Sequence, residues 1–191
     1  LRVLTFIYSV HGEFNNQQKL LHEKYPPSGP CSCQTCVSFC LRPGWWTVEE
    51  AARAIEEGYA DRMMLEVSPD SRFGVLSPAF KGNESNYALE VFSKQGCTFL
   101  SDGLCELFNT TFQPMECRFC HHDRKGLGEK CHHDIEADWN TDYGKRLVVR
   151  WGNITGFWER QGLNVAENLR TNSSLVIRGS YAFILTGWCI A

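Results

Sequence analysis

Residues 31–40 read Cys-Ser-Cys-Gln-Thr-Cys-Val-Ser-Phe-Cys and place four thiols within ten positions. A disulfide needs particular Cα and Cβ separations, so cysteines this close in sequence are poorly suited to pairing with one another. A tight loop can instead turn several sulfurs onto one ion, since zinc takes four tetrahedral ligands with Zn–S near 2.3 Å. We therefore interpret this stretch as a metal-binding segment that organises the fold around it.

A second group of cysteines lies later in the chain, at Cys97, Cys105, Cys117 and Cys120. The last two are separated by two residues, a spacing typical of zinc knuckles. Each of the two groups contains four cysteines, which is enough for two tetrahedral thiolate sites or for one site with spare ligands. The spacing predicts zinc or iron, including an iron–sulfur cluster, as the bound cofactor.

The tetrapeptide Cys-His-His-Asp occurs twice, at residues 120–123 and 131–134, across a loop that contains Gly126 and Gly128. Both copies could converge on one ion as mixed sulfur and imidazole ligands. We predict that Cys131 and one of the four histidines complete or guard a site begun by Cys117 and Cys120; alternatively, the histidines only cover the cluster. The predicted metal ligands are Cys31, Cys33, Cys36, Cys40, Cys97, Cys105, Cys117, Cys120, Cys131, His121 and His132.

The main alternative is a secreted, disulfide-rich glycoprotein. Four asparagines, Asn83, Asn109, Asn153 and Asn172, begin an Asn-X-Ser/Thr acceptor pattern. That pattern is short and often fortuitous, whereas clustered cysteine spacing is more specific. The sequence therefore favours reduced thiolates in a cytoplasmic protein.

Length and composition limit the other functions. The chain has 191 residues, of which 43% are hydrophobic, so it can bury a core of its own. A net charge of −3 leaves no long basic stripe, and general nucleic-acid binding is not favoured. No uncharged stretch reaches the length of a membrane span. The expected partner is a metal ion, and the sequence indicates no particular protein partner.

Local signals predict a small single α+β domain with short strands, a few helices and metal-organised loops. Thr47 and Glu50 form a capping box that predicts a helix from Val48 to Glu57. Short strands and turns are expected between residues 63 and 92, where glycines and prolines interrupt apolar residues. Thr141 is the predicted cap of a second helix from Asp142 to Trp151, with Gly144 as its weak point.

The domain organisation follows from the same signals. Residues 1–30 are predicted to be an N-terminal extension ending in a Pro-rich linker, residues 31–160 the metal-binding domain, and residues 161–191 a C-terminal strand or hairpin. Trp45 and Trp46 are expected to cover the small metal-bearing core. The acidic residues 134, 136 and 138 alternate with apolar ones and predict a solvated face.

These motifs, taken in order, resemble the zinc- or iron-chelating cysteine-cluster family, also called YkgJ-like. The resemblance covers residues 31–120: the first cysteine group, the helix start at Thr47, the stretch Gly96-Cys97-Thr98-Phe99-Leu100 leading to Cys105, and the Pro-Met-Glu-Cys-Arg sequence of residues 114–118. The resemblance implies that these cysteines are metal ligands. Relatives of that family include a methylating enzyme of flagellin lysines, so the resemblance keeps an iron–sulfur enzyme related to protein lysine methylases as an alternative function. It carries no activity to this chain by itself, and we predict no catalytic residue.

Overall fold

The computed structural model describes residues 21, 23–26, 28–119, 121–124 and 128–162. The helices are α1 (Gln34–Phe39), α2 (Val48–Glu56), α3 (Met115–Phe119), α4 (Gly128–Trp139), α5 (Asp142–Ile154) and α6 (Phe157–Arg160). The strands are β1 (Met63–Val67), β2 (Gly74–Pro78), β3 (Leu100–Ser101) and β4 (Leu104–Cys105), and 3₁₀ turns cover Ala60–Arg62 and Glu90–Gln95. The fold is a small α+β domain, as predicted. The predicted C-terminal strand or hairpin lies outside the described residues from residue 163 onward.

Helix α2 begins at the predicted capping box. Thr47 Oγ1 accepts the N–H of Glu50 at 3.2 Å, and Glu50 Oε2 accepts the N–H of Thr47 at 3.0 Å. The same Oε2 accepts the N–H of Met115 at 3.0 Å, and Oε1 pairs with Arg118 at 2.9 Å. The box therefore does more than cap a helix, because it also fixes α3 against the start of α2.

The predicted short strands between residues 63 and 92 are β1 and β2, which pair as an antiparallel hairpin, and a second hairpin of β3 and β4 lies beyond that range. Every residue of β1 and β2 is buried, with Leu65 opposite Leu76. A Cβ at Gly74 would lie 2.7 Å from Leu65 Cδ1 and 3.6 Å from Val148 Cγ1. The hairpin is thus covered on both faces, with α5 packed closely against it.

Helix α5 begins at the predicted residue, and Thr141 Oγ1 accepts the N–H of Gly144 at 3.1 Å. The helix continues to Ile154, beyond the predicted end at Trp151. The presence of glycine at position 144 is explained by packing, since a Cβ there would lie 2.5 Å from the carbonyl oxygen of Trp139. Glycine permits the close turn between α4 and α5.

Helix α4 corrects one sequence prediction. The side chain of Asp138 is 2% exposed, and its Oδ2 accepts the N–H of Val48 at 2.8 Å. The prediction of a solvated face is therefore wrong for Asp138. Alternation by two predicts a solvated face, whereas the helical period of 3.6 places Ile135, Asp138 and Trp139 toward the core.

The core is largely aromatic. Trp46, Trp139, Trp151 and Phe157 are fully buried. Their indole N–H groups donate to backbone carbonyls: Trp139 to Trp46 at 2.7 Å and Trp151 to Ala60 at 2.9 Å. These bonds satisfy the polar edge of each indole and connect helices that are distant in sequence. Among the described residues, no helix combines the length and apolarity needed to cross a membrane.

Candidate metal centre

Three thiols of the first cysteine group and one imidazole meet at one point. The Sγ atoms of Cys31, Cys33 and Cys36 and a ring nitrogen of His122 all lie within 4.8 Å of one another. His122 Nδ1 lies 3.6 Å from the sulfur of Cys31, 3.7 Å from that of Cys33 and 3.4 Å from that of Cys36. This set of three sulfurs and one nitrogen could bind a metal ion.

The chain builds this set from two distant segments. Cys33 is the residue before α1 and Cys36 lies within it, so the turn at the helix start brings their sulfurs together. Residues before Cys31 are held on α3: Ser28 Oγ donates to the carbonyl of Arg118 at 2.9 Å. His122 follows α3, and the N–H of its neighbour His121 donates to the carbonyl of Phe119 at 2.8 Å. Both segments therefore depend on the short helix α3 for their positions.

The three thiols have unequal electrostatic surroundings. Hydrogen bonding by the backbone N–H of Cys36 lowers the pKa of Cys33 to about 7, which favours a thiolate at neutral pH. Burial raises the pKa of Cys36 to about 11, so that thiol is held protonated unless a cation is bound. A bound metal would replace that proton, and its binding would therefore release protons.

Four further cysteines line a single cavity of about 90 Å³. They are Cys40, Cys97, Cys105 and Cys117, and the cavity also reaches Cys31, Cys36 and His121. Each comes from a different element: Cys40 ends α1, Cys97 precedes β3, Cys105 ends β4 and Cys117 lies in α3. The two sets of thiols are therefore neighbours around one cavity.

Burial raises the pKa of all four thiols in this second set, to about 11 for Cys40 and about 12 for Cys97. The proximity of the other three thiols raises the pKa of Cys117 further. Backbone N–H groups oppose these effects, since Gly44 donates to Cys117 Sγ at 3.3 Å and Phe99 to Cys97 Sγ at 3.4 Å. Partly buried sulfurs that accept backbone N–H bonds are suited to holding a cation as thiolates. These four are not a group of ligand atoms as close as that of Cys31, Cys33, Cys36 and His122.

Carboxylate and aromatic groups support the second set from outside. Glu116 Oε2 accepts the N–H of Trp45 at 2.6 Å, and its Oε1 lies 2.5 Å from His132 Nδ1. The ring of His132 packs on that of Trp45 with centroids 4.0 Å apart. A Cβ at Gly44 would lie 2.5 Å from Glu116 Cβ and 2.9 Å from the nitrogen of Cys117. These contacts hold the Gly44 amide against Cys117.

In the structure, the predicted ligands form groups that differ from those along the sequence. Cys40 lies with the three later cysteines, although it belongs to the first group in sequence. His122, one of the four histidines considered but not one of the two named as ligands, joins Cys31, Cys33 and Cys36. Cys120 lies outside the described residues. The signal that could have identified His122 is the Cys-His-His-Asp repeat, which offers two adjacent histidines without indicating which one turns inward.

The remaining predicted ligands have other surroundings. His121 Nδ1 contacts the carboxylate of Asp123, and His132 contacts Glu116 and Trp45. Cys131 is fully buried in α4. Burial raises the pKa of Cys131, and the nearby carboxylates of Glu116 and Glu50 raise it further. Among the described residues, the group of three or more close ligand atoms does not include Cys131.

Two observations bear on the secreted alternative. All eight described cysteines are free thiols. Asn83 is 1% exposed, and its Nδ2 donates to the carbonyl of Tyr87 at 2.8 Å, so the folded chain offers no room for a glycan there. Asn109 and Asn153 are exposed, and Asn172 lies outside the described residues. One of the four acceptor patterns is thus fortuitous.

Comparison with known proteins gives no further guide to the function: no family model matches the sequence, and no significant match is found to a curated protein or a solved structure.

Proposed function

We propose that this protein binds zinc through Cys31, Cys33, Cys36 and His122, in a site that stabilises the fold. The observation that carries the proposal is the spacing of the ligand atoms. A tetrahedral zinc with Zn–S of about 2.3 Å and Zn–N of about 2.05 Å separates sulfur from nitrogen by about 3.6 Å. The three sulfur–nitrogen distances in the site are 3.6, 3.7 and 3.4 Å. The donor set and its spacing therefore fit zinc.

A structural role is supported by what the site connects. The three cysteines and His122 are separated by 86 to 91 residues in the chain. A metal bound by both segments closes that long loop and restricts the unfolded chain much more than the folded one. All four positions of a tetrahedral ion are filled by protein atoms, as in structural rather than catalytic zinc sites.

The proposal includes a second thiolate-bound metal at Cys40, Cys97, Cys105 and Cys117. It is supported by four thiols around one cavity and by the backbone N–H groups that donate to two of them. Four thiolates can hold either a single zinc ion or an iron–sulfur cluster at this site. An all-sulfur ligand set is also the usual one for such clusters.

The first site is tested by metal analysis of protein purified without added metal. We expect one zinc per chain, which Cys36→Ala should remove. Cys131→Ala is the matched control, because Cys131 is also a buried thiol and lies outside the four-atom group. Loss of zinc from the control, or its retention in Cys36→Ala, would contradict the assignment.

The second site is tested by iron and sulfide analysis and by the visible absorption spectrum of protein purified without oxygen. A cluster should give broad sulfur-to-iron absorption that disappears in Cys117→Ser but persists in Cys131→Ala. A colourless protein that holds two zinc ions would replace the cluster with a four-thiolate zinc site. A single zinc per chain and no iron would overturn the second site altogether.

A further inference from the structure

We propose that the two sites are energetically coupled, so that metal bound by Cys31, Cys33, Cys36 and His122 raises the metal affinity of the four-thiolate site. This inference rests on the proposed function. It concerns how one site regulates the other, and it follows from the elements that the two sites share.

Helix α1 is the first shared element. It carries Cys36 of the first site within it and ends at Cys40 of the second site, four residues later. The carbonyl of Cys40 accepts the N–H of Cys97 at 2.8 Å, so the helix end bonds directly to another second-site ligand. A six-residue helix moves as a unit, and fixing its start fixes the position of Cys40.

Among the described residues, few buried side chains of α1 itself hold the helix in place. Cys36 is the only buried residue of its six. Short helices gain their stability from tertiary packing rather than from intrinsic propensity, and here the packing is small. The order of α1 therefore depends on metal bound to the cysteines that it carries. The first metal to bind bears the conformational entropy cost of ordering the helix.

Helix α3 is the second shared element. It carries Cys117 of the second site, and the chain that leaves it reaches His122 five residues later. The turn after α3 is closed by the His121 N–H bond to Phe119 and by the Arg124 N–H bond to His121 at 3.0 Å. A metal between Cys36 and His122 thus ties together the two helices that supply Cys40 and Cys117.

The consequence is positive cooperativity. The second metal enters a set of thiols that the first has already brought together, and it no longer has to order α1 against α3. Linkage requires the effect to be reciprocal, so loading the second site must raise the affinity of the first by the same factor. Repulsion between two neighbouring thiolate complexes acts in the opposite direction, and the experiment decides between the two effects.

The test is a cobalt(II) titration of the metal-free full chain in the presence of a competing chelator. Four-thiolate and three-thiolate cobalt sites differ in their visible spectra, so the two occupancies can be followed separately. His122→Ala leaves every second-site ligand intact, and we expect it to weaken cobalt binding there by roughly 5- to 150-fold. His133→Ala is the matched control, because His133 occupies the same position in the second Cys-His-His-Asp copy and its side chain is 83% exposed.

Further variants separate coupling from misfolding. His122→Cys restores a fourth ligand to the first site and should restore the second-site affinity, which a merely damaged chain would not do. Cys117→Ser should weaken the first site by the factor that His122→Ala imposes on the second. Equal second-site affinity in wild type and His122→Ala, or tighter binding in the variant, would overturn the coupling while leaving both sites in place. If wild-type protein binds a single cobalt ion, the coupling is contradicted but the first site is not. If it binds no cobalt at all, the proposed function is contradicted as well.

Discussion

At the scale of single residues, the two copies of Cys-His-His-Asp show that the local backbone conformation gives identical side chains different surroundings. Residues 121–123 of the first copy follow α3 in a turn, where His122 faces three thiols. The second copy lies within α4, where successive side chains are about 100° apart around the helix axis. Cys131 is consequently buried, His133 is exposed and Asp134 accepts a 2.6 Å hydrogen bond from Tyr25. The same four residues thus place an imidazole beside three thiols in one segment and pack within a helix in the other.

Gly44 provides the prediction at this scale. In Gly44→Ala the new Cβ would lie 2.5 Å from Glu116 Cβ, and the loop must move away from α3. We expect a loss of about 1–3 kcal/mol in the free energy of unfolding, as for other overpacked sites. The Gly44 N–H should also leave Cys117 Sγ, which weakens metal binding at the four-thiolate site. Urea denaturation and metal competition measure the two effects, and Gly29→Ala is the control, since nothing lies within 4 Å of its Cβ position.

At the scale of elements, the packing of α2 depends on carboxylates from other parts of the chain. Glu50 caps its own helix and also holds α3. Asp138 of α4 accepts the N–H of Val48, the first residue of α2. Two buried acidic groups therefore satisfy N–H groups at the start of one helix, where the helix dipole favours negative charge. They also bind three helices into the framework against which the metal ligands are placed.

Asp138 provides the prediction at this scale. Burial raises its pKa from 3.8 to about 6, despite the hydrogen bond from Val48. A raised pKa means that this group contributes stability at low pH that is lost as the pH rises from about 4 through about 6. Asp138→Asn keeps an oxygen acceptor but does not titrate. Its stability relative to wild type should therefore increase by up to about 3 kcal/mol between pH 4 and pH 7.5.

The measurement is urea denaturation of both proteins at several pH values. Taking the difference between variant and wild type cancels the pH dependence of metal binding, which the two share. A constant difference across this range would show that Asp138 has the same pKa in the folded and unfolded states.

At the scale of the whole molecule, the hydrophobic core extends far beyond the proposed metal ligands, of which Cys97 belongs to it and Cys40 and Cys105 pack against it. The core is formed by buried aromatic and aliphatic side chains of α2, α4, α5 and the β1–β2 hairpin. The proposed ligands lie on α1, α3 and the connecting loops. The core should thus retain part of its stability when metal is removed, whereas the ligand-bearing segments should not.

Chelation gives the prediction at this scale. A strong chelator should increase amide hydrogen exchange in residues 28–42 and 115–124 by orders of magnitude, because local opening there no longer breaks metal bonds. Exchange in α5 and in the β1–β2 hairpin should change much less. Mass spectrometry of peptides from each segment measures the difference. Uniform loss of protection across all segments would show that core and metal sites unfold as a single unit.

The sequence by itself determined the features that depend on neighbouring residues. The capping box at Thr47 and Glu50, the start of α5 at Thr141 and the short strands near residue 63 all follow from interactions within a few positions. The presence of clustered metal-type ligands was evident for the same reason. Helix α4 was not predicted, because charged and histidine residues obscure its apolar face.

Only the tertiary structure decided which ligands meet. Cys40 lies four residues from Cys36 yet faces the cavity with Cys97, Cys105 and Cys117, because α1 is short and presents ligands to different sites at its two ends. His122 meets cysteines 86 to 91 residues away because Glu50 and Ser28 place α3 beside α2 and the chain before α1. Ligand grouping is a matter of distances in space, and those distances are set by the packing of the core rather than by spacing along the chain.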